Sequence, residues 1–149
     1  MDPCAERVSY LGPAGSYSML AARQLCPQAQ GIPCKSFFEA VETLNAGGSA
    51  CAVLPVENTL QGAVTQNLDL LYANKNLYAV REYLLPIEHR LIVREGTELA
   101  DVRRVFSHQQ AILQCGKFLS SNLPRAQLIY TDSTMESLRH IERKGDAGI

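Results

Sequence analysis

Ala50-Cys51-Ala52-Val53-Leu54, followed by Pro55-Val56-Glu57-Asn58-Thr59-Leu60-Gln61-Gly62, decides the reading of this chain. The first five residues carry no charge or amide and read as a buried strand. A buried parallel strand delivers the segment after it to the carboxyl edge of its sheet, where open α/β folds bind ligands. That segment here presents an acid, an amide and a hydroxyl in succession, a set able to grip and protonate a small polar molecule. The same tripeptide also suits an ordinary loop whose side chains bond local backbone.

Working outward, the pattern recurs. Val8–Leu11 reads as an earlier strand, and Gly12-Pro13-Ala14-Gly15-Ser16-Tyr17-Ser18 leads from it into a helix over Ser16–Leu25, with Tyr17, Leu20, Ala21 and Leu25 on one face. Ile32–Ser36 reads as a second strand. Phe37, Ala40, Val41 and Leu44 recur at helical spacing, and Gly47-Gly48 closes that helix. After strand 50–54, the residues Val64, Leu68, Leu71 and Tyr72 mark a third helix. The order β-α-β-α-β-α implies a parallel sheet with right-handed crossovers.

The rhythm changes at Asn74. Leu77–Leu84 and Arg90–Val93 read as strands with no helix between them, and Pro86 argues against one unbroken central strand. Alternation then resumes with a strand over Val102–Phe106 and a helix with Ile112, Cys115 and Leu119 on one side. A strand over Leu128–Tyr130 and a helix bearing Met135, Leu138 and Ile141 come next. Ala147-Gly148-Ile149 opens a further apolar element. The expected organisation is a first lobe over 1–76, crossover strands over 77–94 and a second lobe over 95–149. That second lobe has fewer elements than the first and reads as cut short.

Composition narrows the function. The 149 residues hold 14 basic and 15 acidic side chains, for a net charge of −1. Nothing in that balance would hold a phosphate backbone, so nucleic acid is not an expected partner. No apolar run approaches the ~20 residues of a membrane span. The first residues, Met1 to Arg7, lack the apolar core of a signal peptide. Five cysteines at 4, 26, 34, 51 and 115 are irregularly spaced and form no Cys-x-x-Cys pair, which suits reduced thiols in the cytoplasm. His89, His108 and His140 have no ligand spacing with those cysteines, which argues against a metal site.

Three helix N-termini succeed strands, near Ser16, Gln109 and Ser133. Each offers unpaired N–H groups and the positive end of a helix dipole, which hold carboxylates without Lys or Arg. Ser16 and Ser18 add hydroxyls to the first, Ser107 is read as the cap of the second, and Thr131, Asp132, Ser133 and Thr134 crowd the third. These residue types are also ordinary caps. The glycine loop lacks the Gly-Lys-[Ser/Thr] ending of a nucleotide-hydrolysing loop. Gln110 and Gln114 share a helix face. His108 reads as a packed or capping residue, and Cys115 falls on the core stripe.

Together these strings resemble the prephenate dehydratase family. Tyr10-Leu11-Gly12-Pro13-Ala14-Gly15-Ser16-Tyr17-Ser18 is similar to its first signature. Leu54-Pro55-Val56-Glu57-Asn58-Thr59 with Gly62-Ala63 is similar to its second, and Phe106-Ser107-His108-Gln109-Gln110 through Gln114-Cys115 and Phe118-Leu119 to its third. The resemblance runs over residues 8–149. It implies an α/β, two-lobed type II periplasmic-binding-protein-like fold with parallel and mixed sheets, the second lobe incomplete. It also implies a carbon–oxygen lyase that turns prephenate into phenylpyruvate, water and carbon dioxide on the route to phenylalanine, with no metal or organic cofactor.

The residues suit that chemistry. Hydroxide leaves poorly, so a positioned proton donor helps. A strong ion pair to the departing carboxylate would stabilise the reactant more than the transition state, so neutral donors are favoured. The expected catalytic residues are Glu57, Asn58, Thr59, Ser107 and Gln114. Gly15, Ser16, Tyr17, Ser18, Gln110, Ser133 and Thr134 are expected to orient the substrate. Glu57 is either a proton donor, its pKa raised beside a dianion, or an ionised anchor for loop amides; a positioning role is preferred.

Three departures from the family pattern stand out. Gln109 replaces the usual proline, Met19 a frequent histidine, and no Thr-Arg-Phe motif, regulatory domain or chorismate mutase domain is found in the sequence. The expectation is therefore weak or absent activity in residues 1–149 alone, with dependence on association, such as a homo-oligomer, as one consequence. Two further readings stay open. One is arogenate dehydratase; the other is a two-lobed binding module for an aromatic carboxylate, impaired in catalysis.

Overall fold

A run of three successive buried residues, Val8, Ser9 and Tyr10, lies at the centre of the first half of the molecule. They belong to β1 (Arg7–Leu11), which pairs in parallel with β2 (Gln30–Cys34) on one side and β3 (Cys51–Val53) on the other. A strand flanked on both sides and covered on both faces is buried whichever way its side chains point. The computed structural model describes residues 6–59 and 62–149, so Cys4, the N-terminal residues through Ala5 and the Leu60-Gln61 pair of the Pro55–Gly62 motif lie outside the described residues.

Two helices complete this layer. α1 (Tyr17–Leu25) and α2 (Phe37–Asn45) are capped by Ser16 and Ser36, whose hydroxyl oxygens accept from Met19 N and Glu39 N. Val8, Tyr10, Ala22, Cys26 and Cys51 form the core. Ser9, fully buried, donates to Ala40 O at 2.8 Å and accepts from the Ser49 hydroxyl at 3.0 Å, so its burial is compensated.

Beyond β3 the chain forms a short antiparallel hairpin, β4 (Glu57–Asn58) with β5 (Gly62–Ala63), that the apolar pattern does not reveal. It leads into α3 (Thr65–Ala73). The apolar face expected for α3 is displaced. Leu68 and Tyr72 are exposed, Tyr72 at 90 %, while Asn67 is the fully buried residue. An amide that bonds backbone has taken the inward position, and the leucine and tyrosine beside it are turned outward.

The chain folds as two units, Met1–Pro86 and Ile87–Ile149, a division that falls within the 77–94 stretch. Leu77–Leu84, expected as a strand, forms no regular element, and of Arg90–Val93 only Ile92–Val93 (β6) is a strand. Alternating apolar residues make a strand only when a neighbour bonds the backbone. No described strand pairs with 77–84, and Tyr78 and Leu84 are at least 80 % exposed.

The second unit is a four-stranded mixed sheet in the order β6-β9-β7-β8. β7 (Arg104–Ser107) is parallel to β8 (Gln127–Tyr130) and to β9 (Asp146–Gly148), and β9 is antiparallel to β6. The apolar residues at the end of the sequence are thus an interior strand. A helix expected through Ile112, Cys115 and Leu119 breaks at Cys115 into α4 (Gln109–Gln114) and α5 (Gly116–Asn122), where Gly116 is a poor helix former. The helix expected over Met135–Ile141 shortens to α6 (Thr134–Ser137) plus a 3₁₀ turn at Leu138–His140. Ser137 bonds back to Thr134 O at 2.6 Å, a contact that bends helices. Val105, Ala111, Ile112, Leu119 and Ala147 lie in the core. Gly148 is held close under the turn: a Cβ there would stand 2.8 Å from Ser137 Oγ and 3.2 Å from Ile141 Cδ1.

Among the described residues no disulfide links the cysteines, and no helix is long and apolar enough to cross a membrane.

Candidate active site

In the first unit, β1 and β3 are parallel neighbours, so the segments that leave them emerge at the same edge of the sheet. That edge carries Gly15–Ser18 from one strand and Glu57–Thr59 from the other. The turn after β1 is pinned by Gly12 N to Cys34 O at 2.8 Å and Ser16 N to Pro13 O at 3.1 Å. Gly15 has φ +92°, a conformation that costs a residue bearing Cβ about 1–2 kcal/mol. Its N–H is directed at Met19 Sδ, 3.2 Å away. The Ser16 hydroxyl donates to Leu11 O at 2.8 Å and accepts from Met19 N at 3.3 Å. Its donor is therefore engaged by backbone in this state, while Tyr17 and Ser18, half-buried, open α1.

Glu57 and Thr59 are exposed on the hairpin and Asn58 is half-buried. The hairpin hangs from α3 by two bonds, Val64 N to Val56 O at 2.9 Å and Asn67 Nδ2 to Pro55 O at 2.7 Å.

In the second unit, β7 and β8 likewise end at one edge, joined by Thr131 N to Ser107 O at 2.9 Å. Ser107, expected as a cap, is the last residue of β7. It is fully buried and donates to Ile149 O at 2.8 Å. The cap of α4 is instead His108, whose Nδ1 accepts from Gln110 N at 3.3 Å, so the neutral ring carries its proton on Nε2. Gln110 and Gln114 are half-buried on α4. Gln114 Oε1 makes a hydrogen bond with His89 Nε2, a partner that sequence reasoning missed because the irregular segment before β6 has no periodicity.

Ser133 caps α6 by accepting from Glu136 N at 3.0 Å, and Glu136 returns a bond to Asp132 N at 2.8 Å. Thr134 O accepts from Ser137. The cap reading of this third terminus holds in the structure.

A second unsignalled cluster spans β7 and β9. Arg104 makes a bidentate pair with Asp146 at 2.7 and 2.9 Å, lies over the Phe106 ring, and Phe106 stacks on His140 with centroids 5.3 Å apart. Burial pushes Asp146 upward, but the Arg104 guanidinium and the Arg143 N–H outweigh it and hold the carboxyl below its usual range. Burial raises the Cys115 thiol, which makes it a poor nucleophile at neutral pH. Among the described residues no cluster of three His, Cys, Asp or Glu side chains is arranged to hold a metal ion.

Among the described residues, two hollows stand out in the first unit. One of about 410 Å³ is bounded by Gly12, Pro13, Pro33, Cys34 and Lys35, and one of about 360 Å³ lies beneath α1 against Tyr10, Met19 and Arg23. Neither is lined by Ser16–Ser18 or Glu57–Thr59.

A family model for prephenate dehydratase matches residues 8–149. The bifunctional chorismate mutase/prephenate dehydratase of Escherichia coli K12 is 37% identical over 145 residues, covering 95% of this chain and 37% of that protein. Arogenate dehydratase 2 of Petunia hybrida is 36% identical over 146 residues, covering 95% of this chain and 36% of the relative. The chain thus spans little more than a third of the length of these relatives. The crystal structure of prephenate dehydratase in complex with L-Phe from Arthrobacter aurescens superposes with a TM-score of 0.82 at 31% identity, over 95% of this chain and 49% of the other. The fold is α/β with parallel and mixed sheets, of the two-lobed periplasmic-binding-protein-like kind. With the family model spanning nearly all of the sequence and the fold agreeing, this chain belongs to the prephenate dehydratase family.

Proposed function

We propose that this chain carries the prephenate dehydratase reaction, the conversion of prephenate to phenylpyruvate, water and carbon dioxide in phenylalanine biosynthesis, in a cytoplasmic setting. The observation that supports this reading most is the makeup of the two sheet edges. Each presents amides, hydroxyls and helix N-termini. Such groups bind a dicarboxylate without a fixed cation. A cation paired to the carboxylate that leaves would hold the reactant more tightly than the transition state.

Asn58 and Thr59, on the hairpin, donate to the substrate. Glu57 positions that hairpin or supplies the proton to the departing hydroxyl, a step worth about 10²–10⁴-fold when the donor is well placed. Gln114, oriented by His89, presents its amide N–H₂, because its Oε1 is already taken. Ser107 shapes the loop through Ile149, while Gly15, Ser16, Tyr17, Ser18, Gln110, Ser133 and Thr134 orient the substrate.

Arogenate, the amino-acid analogue, is the second reading, favoured by the Petunia relative. Calorimetric binding of prephenate and of arogenate, with product formation as the second readout, tests both. Tighter binding of prephenate is expected, with weak or no turnover by residues 1–149 alone. A chain that neither binds nor converts either compound overturns the proposal.

A further inference from the structure

Asn67 stands in the first turn of α3, fully buried, where an amphipathic helix would place an apolar side chain. Its Nδ2 donates to Pro55 O at 2.7 Å. Among the described residues its Oδ1 is buried with no hydrogen-bond partner. A buried amide with one end unsatisfied is costly, and such groups in a folded protein call for an explanation.

The Pro55 carbonyl lies two residues before Glu57. The next carbonyl, Val56 O, is held by Val64 N, and Val64 O in turn accepts from Asn67 N at 2.9 Å. The first turn of α3 therefore grips both carbonyls from which the Glu57–Thr59 segment departs. Among the described residues the hairpin has two residue pairs, Glu57 with Ala63 and Asn58 with Gly62. A two-stranded ribbon that short does not hold its own geometry in water.

We propose that Asn67 is the positioning residue of the Glu57–Thr59 segment: its amide fixes the Pro55 carbonyl and so aims the hairpin, without touching substrate. The consequence for catalysis rests on the prephenate reading; the clasp itself does not.

The test compares N67L, which removes donor and orphaned oxygen together, with N67D, which keeps the shape and loses the donor. In both, amide exchange of Gly62, Ala63 and Val64 should accelerate at least tenfold while exchange in β1 and α1 stays as in the parent chain. N67L should melt within a few degrees of the parent, because the lost bond is offset by removal of the unsatisfied oxygen. Prephenate affinity should fall about tenfold in both, since binding would then have to order a hairpin that is no longer preorganised. Unchanged hairpin exchange overturns the proposal, and so does faster exchange with unchanged prephenate affinity. If the parent chain does not bind prephenate, the functional reading fails by itself, and hairpin exchange alone then supports or overturns the clasp. If N67D does not fold, N67L decides.

Discussion

The junction between β1 and α1 and the junction between β7 and α4 perform the same task with the same residue type, and they are held differently. In the first, Ser16 bonds Leu11 O and Met19 N, five and three residues away. In the second, Ser107 gives its proton to Ile149 O, 42 residues away, and His108 takes over the cap. The first junction is a local construction on an all-parallel sheet. The second depends on β9, which is fastened to β7 at one end by Arg104–Asp146 and at the other by Ser107–Ile149. A serine after a strand is thus either a cap or a long-range tie, and the spacing to the helix does not tell which.

The comparison can be broken most forcefully at Asp146. D146A is expected to destabilise the second unit by about 3 kcal/mol, the low end for breaking a buried pair because Arg104 is 35 % exposed, and to leave exchange in β1–β3 unaffected. Urea unfolding with exchange read separately in each unit measures it. S107A should cost about 1.5 kcal/mol, since the buried Ile149 carbonyl loses its shorter bond and keeps Ser137 Oγ at 3.3 Å, with faster exchange throughout β9. S16A should cost about 1 kcal/mol, the value of a cap, and its effect should stay within the first turn of α1. Equal and equally local effects of S16A and S107A would erase the contrast.

Acid sharpens the same contrast. The folded Asp146 carboxyl titrates below its unfolded counterpart, so its contribution is complete above the usual carboxylate range and is lost as pH falls through the folded value. Below about pH 4 the second unit should lose stability relative to its neutral-pH value, and D146N should remove that part of the dependence. A pH titration of unfolding in both chains checks it.

Strand and helix order from β1 through α2 is legible because the apolar residues there obey period and the caps are serines. The 77–84 stretch reads falsely as a strand because alternation specifies a face and not a partner. Asn67 and the displaced stripe of α3 are invisible in the sequence because Leu68 and Tyr72 fit helical spacing equally well. At the candidate site, the motifs locate Glu57–Thr59, Ser107 and Gln114, but the hydrogen bonds that orient them come from residues without a pattern. His89 lies in irregular chain and Ile149 acts through its backbone. Hydrogen-bond partners distant in sequence leave no periodic trace.

Two of the smallest residues of the second unit should be among its least replaceable. Ala147 and Gly148 occupy the middle of a sheet, where bulky side chains usually lock layers together. Here the Ser137 turn settles directly onto the main chain instead, with 2.8 Å left where a methyl group would go. In a saturation library, the two positions offering the least chemistry should therefore tolerate the fewest alternatives, while exposed Tyr72 and Tyr78, far larger, should accept nearly any replacement.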